Sequence, residues 1–265
     1  MPNYPDEKPT FFSSDASSSS STSNDQQVIS RPVRRHLVDV FLVIAVMLGV
    51  AAAGANYGGP YSRLSAISGG FIETGAVVGS VFGIRAMRQD NILRWGLLMV
   101  YALFSGSSLS TLIATYLHWD PSGTLLLAAL SGSMFIFLGF AGSALLANRR
   151  SMLYYGGLAG SLLGIMVWAS LANIFFIRSS SMFSAELYLG LIAFAGFVVY
   201  DTQMIVERAS AGIYDIPGHA LELFMDLFAL FVRLATIILR KEEERENNGR
   251  SNGRRRRQRR QEGRW

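Results

Sequence analysis

The stretch Glu186–Lys241 reads ELYLGLIAFAGFVVYDTQMIVERASAGIYDIPGHALELFMDLFALFVRLATIILRK. It holds two long apolar runs, and each carries one aspartate well inside it, Asp201 and Asp226. A carboxylate at the centre of a bilayer-spanning helix costs roughly 2.5–3.5 kcal/mol on insertion scales unless it is protonated, paired or hydrated. Two of them suggest a shared task. With a helical rise of about 1.5 Å per residue, Asp201 lies about eight residues before the polar turn near Ala209 and Asp226 about nine after Pro217. Both therefore sit roughly 12–14 Å from the same end of two antiparallel helices. Glu222, Asp226 and Arg233, at spacings of four and seven, form one polar stripe on the second of these helices.

Half of the 265 residues are hydrophobic and only 16% are charged, and the mean hydropathy of +0.29 includes two polar tails. Repeated apolar runs of about twenty residues signal transmembrane helices rather than a water-soluble core. Seven spans are predicted: Leu37–Tyr57, Leu64–Ile84, Ile92–Leu117, Gly123–Ala147, Met152–Ile177, Ala185–Val206 and Ala220–Leu239. The fold expected is an all-α membrane bundle of seven hydrophobic helices. Residues 1–35 would form a disordered polar tail, residues 36–240 the membrane domain, and residues 241–265 an arginine-rich disordered tail. The serine-rich start lacks the basic and apolar regions of a signal peptide, so the first hydrophobic helix is expected to direct membrane insertion.

Short loops with turn signals at GGPYS, RQDN, HWDPSG, NRRS and GIYDIPG make neighbouring spans antiparallel. Two spans carry a strict four-residue glycine repeat, Gly75/Gly79/Gly83 and Gly156/Gly160/Gly164, which lets backbones approach closely in lipid. Those two helices are expected to be inner members of the bundle.

Orientation follows from the basic residues. Arg31, Arg34, Arg35, Arg85, Arg88, Arg94, Arg149, Arg150 and Arg208 fall on the side of the amino terminus, against Arg63 and Arg178 on the other, which makes the amino terminus cytosolic. Seven full spans would then carry the tail across, although residues 240–265 hold eleven Arg and Lys. Either the last span is re-entrant and returns the tail to the cytosol, or it crosses despite its charge; the return is favoured. The tail itself reads as a solvated segment with capacity for anionic lipid head groups or an acidic partner. It has no stacking aromatic except Trp265, which argues against specific nucleic-acid recognition.

The absence of cysteine removes disulfides, thiolate metal sites and cysteine nucleophiles. His36, His118 and His219 fall in separate terminal or loop positions, which argues against a zinc site and reads as three interfacial histidines.

The carboxyl-terminal stretch resembles the signature of the Bax inhibitor-1 family. That signature has an ELY-GL start, a DTQ-I-E-A turn, an H-L-LF-D run and an FVR---I-L ending in this order. The likeness extends more loosely through AAAGA at Ala51, ALFSGSSL, HWDPS and SALLANRRSMLYYGGL, about 200 of the 265 residues. The resemblance implies a seven-helix protein of the endoplasmic reticulum membrane that suppresses cell death and lets calcium leak in a pH-dependent way. It implies that Asp201 and Asp226 form a proton-binding pair that controls the pore, and that an arginine on the second helix latches to Asp201. Arg85 is the candidate latch, with Arg88 nearly as well placed. The tail departs from the resemblance, being arginine-rich where related proteins commonly carry lysine-rich mixtures.

Two nearby carboxylates in a low dielectric resist carrying two negative charges, so the pair is expected to share a proton and titrate as a unit. Asp201, Asp226, Glu222 and Glu73 are too few oxygen donors for a tight closed calcium site, but suit a transient site on a permeation path. Arg233 is a further polar residue for that path. Glu73 also fits an interfacial glutamate near the opposite surface. No cofactor is implied, calcium entering only as the transported ion.

A second reading is an interaction scaffold for cell-death regulatory membrane proteins without conduction of its own. A third is an intramembrane aspartyl protease, suggested by the Tyr200-Asp201 pair. It is weakened because Leu223-Phe224-Met225 precedes Asp226 where that class has a glycine-rich pattern.

Overall fold

The computed structural model describes residues 30–57, 71–146, 152–173, 175 and 180–262. The serine-rich start at residues 1–29, the beginning of the second span at Leu64, and the loop arginines Arg63, Arg149, Arg150 and Arg178 lie outside the described residues.

Every described element is a helix: α1 (Arg31–Tyr57), α2 (Phe71–Ala86), α3 (Leu93–Ser108), α4 (Ser110–Trp119), α5 (Thr124–Leu146), α6 (Met152–Ala172), α7 (Ser180–Ser210) and α8 (Ile216–Glu262). Among the described residues, four segments are long and apolar enough to cross a membrane by themselves: Arg31–Asn56, Leu93–Trp119, Thr124–Leu146 and Met182–Ser210. Large apolar side chains such as Leu42, Phe82, Phe135, Trp168 and Ile192 coat the outside, as a lipid-facing surface requires.

The predicted third span is one pass made of two helices. It breaks at Leu109, just after the run Ser105-Gly106-Ser107-Ser108, where the Ser108 hydroxyl donates to the Ser105 carbonyl at 2.7 Å. Serine back-bonding of this kind competes with the helix ladder and bends it.

The inner helix is α8. Its buried residues Ala220, Leu221, Leu223, Phe224, Leu227, Leu230 and Phe231 run around the whole circumference instead of forming one stripe, because α1, α2, α3, α5 and α7 all pack against it. Neither helix with a glycine repeat is central, contrary to expectation: α6 packs chiefly against α7, and α2 chiefly against α3 with a smaller contact to α8. A β-carbon at Gly75, Gly79, Gly160 or Gly164 would meet nothing within 4 Å among the described residues, whereas one at Gly83 would crowd the Leu97 side chain and one at Gly156 the Tyr200 ring. The close helix approach occurs instead between α1 and α3. There, a β-carbon on Gly54 would collide with the Leu103 carbonyl and one on Gly106 with the Ala51 carbonyl.

Nor is α8 re-entrant. It runs without reversal from the end of the bundle where α1 begins to the opposite end, where Arg240 donates to Ser184 at the start of α7 at 3.1 Å. The Tyr116 hydroxyl of α4 also donates to the Ala235 carbonyl at that end. Of the charges expected to turn α8 back, Glu222 and Arg233 meet side chains of neighbouring helices and Asp226 faces Asp201 of α7, as described below. The helix continues past residue 240 to Glu262 through a segment rich in Arg, Glu and Gln, which are strong helix formers. There Arg245 pairs with Glu242 at 3.4 Å, and Arg250 pairs with Glu246 one turn away. The basic tail therefore leaves the bundle on the side opposite the amino-terminal arginines.

Candidate functional site

The polar turn between α7 and α8 is fixed by residues from four elements. Gly212, at φ +86°, ends α7, and Asp215 then caps α8, its carboxylate accepting the Gly218 N–H at 3.2 Å. Pro217 sits in the first helical turn, where its missing N–H costs nothing.

The same Asp215 carboxylate receives both terminal nitrogens of Arg94, at 2.8 and 2.7 Å. Arg94 also donates through Nε to the Ile84 carbonyl at 2.9 Å and through Nη1 to the Gln89 carbonyl at 3.4 Å. One guanidinium thus ties the end of α2, the following loop, α3 and the start of α8 together. Its side chain is only 4% exposed, so its charge depends on Asp215. Burial alone would push the Asp215 carboxyl upward. The Arg94 hydrogen bonds and charge, with the Gly218 N–H, outweigh that and hold it below the ordinary carboxylate value.

Beside this staple, His36 of α1 and His219 of α8 form a buried pair with Nε2 and Nδ1 2.8 Å apart, and Tyr214 packs edge-on against His36. The sequence reading of three separate interfacial histidines is corrected here for two of them. They are 183 positions apart in the chain, and no local spacing links them. His118 sits apart from them at the end of α4, packed edge-on against Trp119.

Arg94, Asp215 and His219 line a polar cavity of about 260 Å³, with Arg85, Arg208 and Glu222 on its other walls. Glu222 is the hub of this cavity. Its carboxylate accepts from Arg208 of α7 at 3.0 Å and from Arg85 of α2 at 3.4 Å.

Asp201 and Asp226 come together across the α7–α8 interface. Their carboxyl groups lie close enough to act on each other, and Glu222, Arg208 and Arg85 lie close enough to act on Asp201. Asp226 is 5% exposed, and its Oδ2 has no hydrogen-bond partner among the described residues. The same holds for Thr202 Oγ1 and Gln203 Oε1 beside Asp201, although Gln203 Nε2 donates to the Ala144 carbonyl of α5 at 2.9 Å. Buried polar groups are normally satisfied, so three unpartnered oxygens in an apolar bundle mark an unusual place.

The other residues singled out from the sequence divide. The ion pair of Arg85 is with Glu222, whereas the expected partner was Asp201. Arg88 is exposed and forms no ion pair among the described residues. Glu73 accepts from Ser107 of α3 at 2.9 Å, on the end of α2 remote from Arg85, so it is not part of the aspartate cluster. Arg233 is two turns along α8 from Asp226, with its guanidinium 4.2 Å from the centre of the Phe194 ring and against Gly190, and it joins neither aspartate. No group of three or more metal-ligating side chains suited to a metal ion occurs among the described residues.

Residues 33–243 match the family model described as inhibitor of apoptosis-promoting Bax1. The chain is 37% identical over 213 residues to Bax inhibitor 1 of Arabidopsis thaliana, an alignment covering 80% of this chain and 83% of the relative. It is 36% identical over 217 residues to Bax inhibitor 1 of Sus scrofa, covering 81% and 89%. To Bax inhibitor 1 of Drosophila melanogaster it is 34% identical over 213 residues, covering 79% and 84%.

Proposed function

The chain belongs to the Bax inhibitor-1 family, and from that premise we propose that it is a multi-pass protein of the endoplasmic reticulum membrane that suppresses programmed cell death and leaks calcium under the control of Asp201 and Asp226. The observation that carries the leak is the pairing of Asp201 and Asp226 within reach of Glu222, which itself lines a polar cavity, in an otherwise apolar bundle. Carboxylate oxygens at that position offer calcium a weak, partly hydrated stopping point, and weak binding suits an ion that must leave as readily as it enters.

Gating follows from the charge on the pair. With one shared proton, Asp201 and Asp226 hold α7 against α8, while Glu222 keeps Arg85 and Arg208 over the cavity. When the shared proton is lost, two like charges face each other in low dielectric and drive the helices apart. Flux therefore rises as pH rises through the range in which that proton leaves. With the amino terminus cytosolic, the cavity faces the cytosol and the proton comes from there.

The test is calcium influx into liposomes that hold the purified protein and a trapped dye, from about pH 5 to pH 8. A pH-dependent influx above that of empty liposomes is expected. Influx equal to empty liposomes throughout, from protein shown to be folded, would overturn conduction and leave a scaffold for cell-death regulatory membrane proteins.

A further inference from the structure

A second cavity, of about 320 Å³, lies on the face of α8 that turns away from Asp226. Phe224, Leu227, Phe228 and Phe231 form its floor, and at about 100° per residue these positions fall roughly opposite Asp226 on the helix. At the level of Phe41 and Phe137, α1 and α5 meet edge to face, with ring centroids 6.2 Å apart. Beyond that contact, the space between Leu48–Asn56 of α1 and Leu126–Met134 of α5 is the cavity. Leu109 and Ile113, where α3 breaks into α4, close its side.

Three properties indicate what fills it. It is lined by no charged side chain, and of its two polar residues Ser133 already donates to the Leu130 carbonyl at 2.9 Å. Its rim residues Ala52, Asn56 and Leu130 are exposed, so it opens sideways and is continuous with the apolar outer surface at Val46 and Leu127. Its volume is about twice the ~150 Å³ of an apolar protein cavity that stays dry and takes up benzene. Water has too few polar partners there, and the molecule that surrounds the opening in a bilayer is lipid.

We propose that this cavity is a binding site for one acyl chain of a bilayer lipid, which enters between α1 and α5 with its head group on the side of Asn56. The chain backs α8 at the level of Asp226 and so bears on the helix that carries it. The site is independent of whether the protein conducts calcium.

The protein would be reconstituted in phosphatidylcholine liposomes containing a trace of phosphatidylcholine with a diazirine in the middle of one acyl chain. After irradiation, adducts would be located by mass spectrometry. Several-fold enrichment on Leu48, Met134 or Phe228 over the lipid-facing Phe82 and Phe135 is expected. That enrichment should be lost in both Ala52→Phe, which blocks the rim, and Ser133→Leu, which fills the interior, while the Phe82 adducts persist as evidence of folding. Equal labelling of cavity and outer residues, or enrichment unchanged in a folded blocking variant, would overturn the proposal.

Discussion

Replacing Asp215 with alanine lowers the stability of the folded bundle by about 3–5 kcal/mol, the usual consequence of removing one partner from a buried ion pair. The reason lies in what remains. Arg94 would stay buried with two terminal nitrogens aimed at an absent carboxylate, and α8 would lose its cap at Gly218. Arg94→Lys is expected to be nearly as damaging, since an ammonium cannot span the carboxylate fork and the carbonyls of Ile84 and Gln89 together.

The pH dependence has a definite sign. The Asp215 carboxyl is held below its ordinary value in the folded state, so its contribution is fully present above the ordinary carboxylate range and is lost only as pH falls through the lower folded value. The difference between wild type and Asp215→Ala should accordingly stay constant from about pH 5 to pH 8. Thermal unfolding in detergent across that range is the check. A small loss, or one that vanishes towards pH 8, would contradict the structural role given to this pair.

Gly106→Ala is the second large effect. The added methyl group would meet the Ala51 carbonyl, a backbone atom that cannot turn aside, so α1 and α3 must separate along their whole contact. Overpacking of this kind costs about 1–3 kcal/mol in soluble cores and more where backbone is the obstacle. The control is Gly49→Ala, also in α1 but with open space at its β-carbon position. That change should be neutral or stabilising by about 0.5–1 kcal/mol, because alanine is the better helix former. Melting temperature and yield of monodisperse protein measure both. Equal behaviour of the two variants would place the tight helix contact elsewhere.

The all-helical bundle and the meeting of the two aspartates across α7 and α8 were legible because they depend on run length and on rise per residue alone. Packing order was not. In lipid, an apolar residue facing a helix and one facing the bilayer look the same in sequence. Hence the regular glycines of α2 and α6 gave a false sign of the interior, only Gly83 and Gly156 meeting a neighbouring side chain, while the isolated Gly54 and Gly106 mark the approach of backbone to backbone. The centrality of α8 was obscured by the very charges that its neighbours satisfy, and those charges also suggested a re-entrant path that the helix does not take.

Arg94 counted only towards loop charge. A contact across 121 positions leaves no local pattern, although an arginine just inside an apolar run was a signal that could have drawn attention. The same distance problem hid the His36–His219 pair and assigned Arg85 to Asp201 in place of Glu222. Helix rotation, which the sequence does not fix, decided each of these.

The Asp201–Asp226 pair is proposed to set the pH dependence of calcium flux. The most direct measurement compares influx into proteoliposomes, from about pH 5 to pH 8, for wild type and for Asp201→Asn combined with Asp226→Asn. Asparagine keeps the shape and hydrogen-bonding capacity of the side chain but cannot exchange the proton, so the variant should fold and its flux should no longer respond to pH. A folded variant with the wild-type pH profile would contradict it.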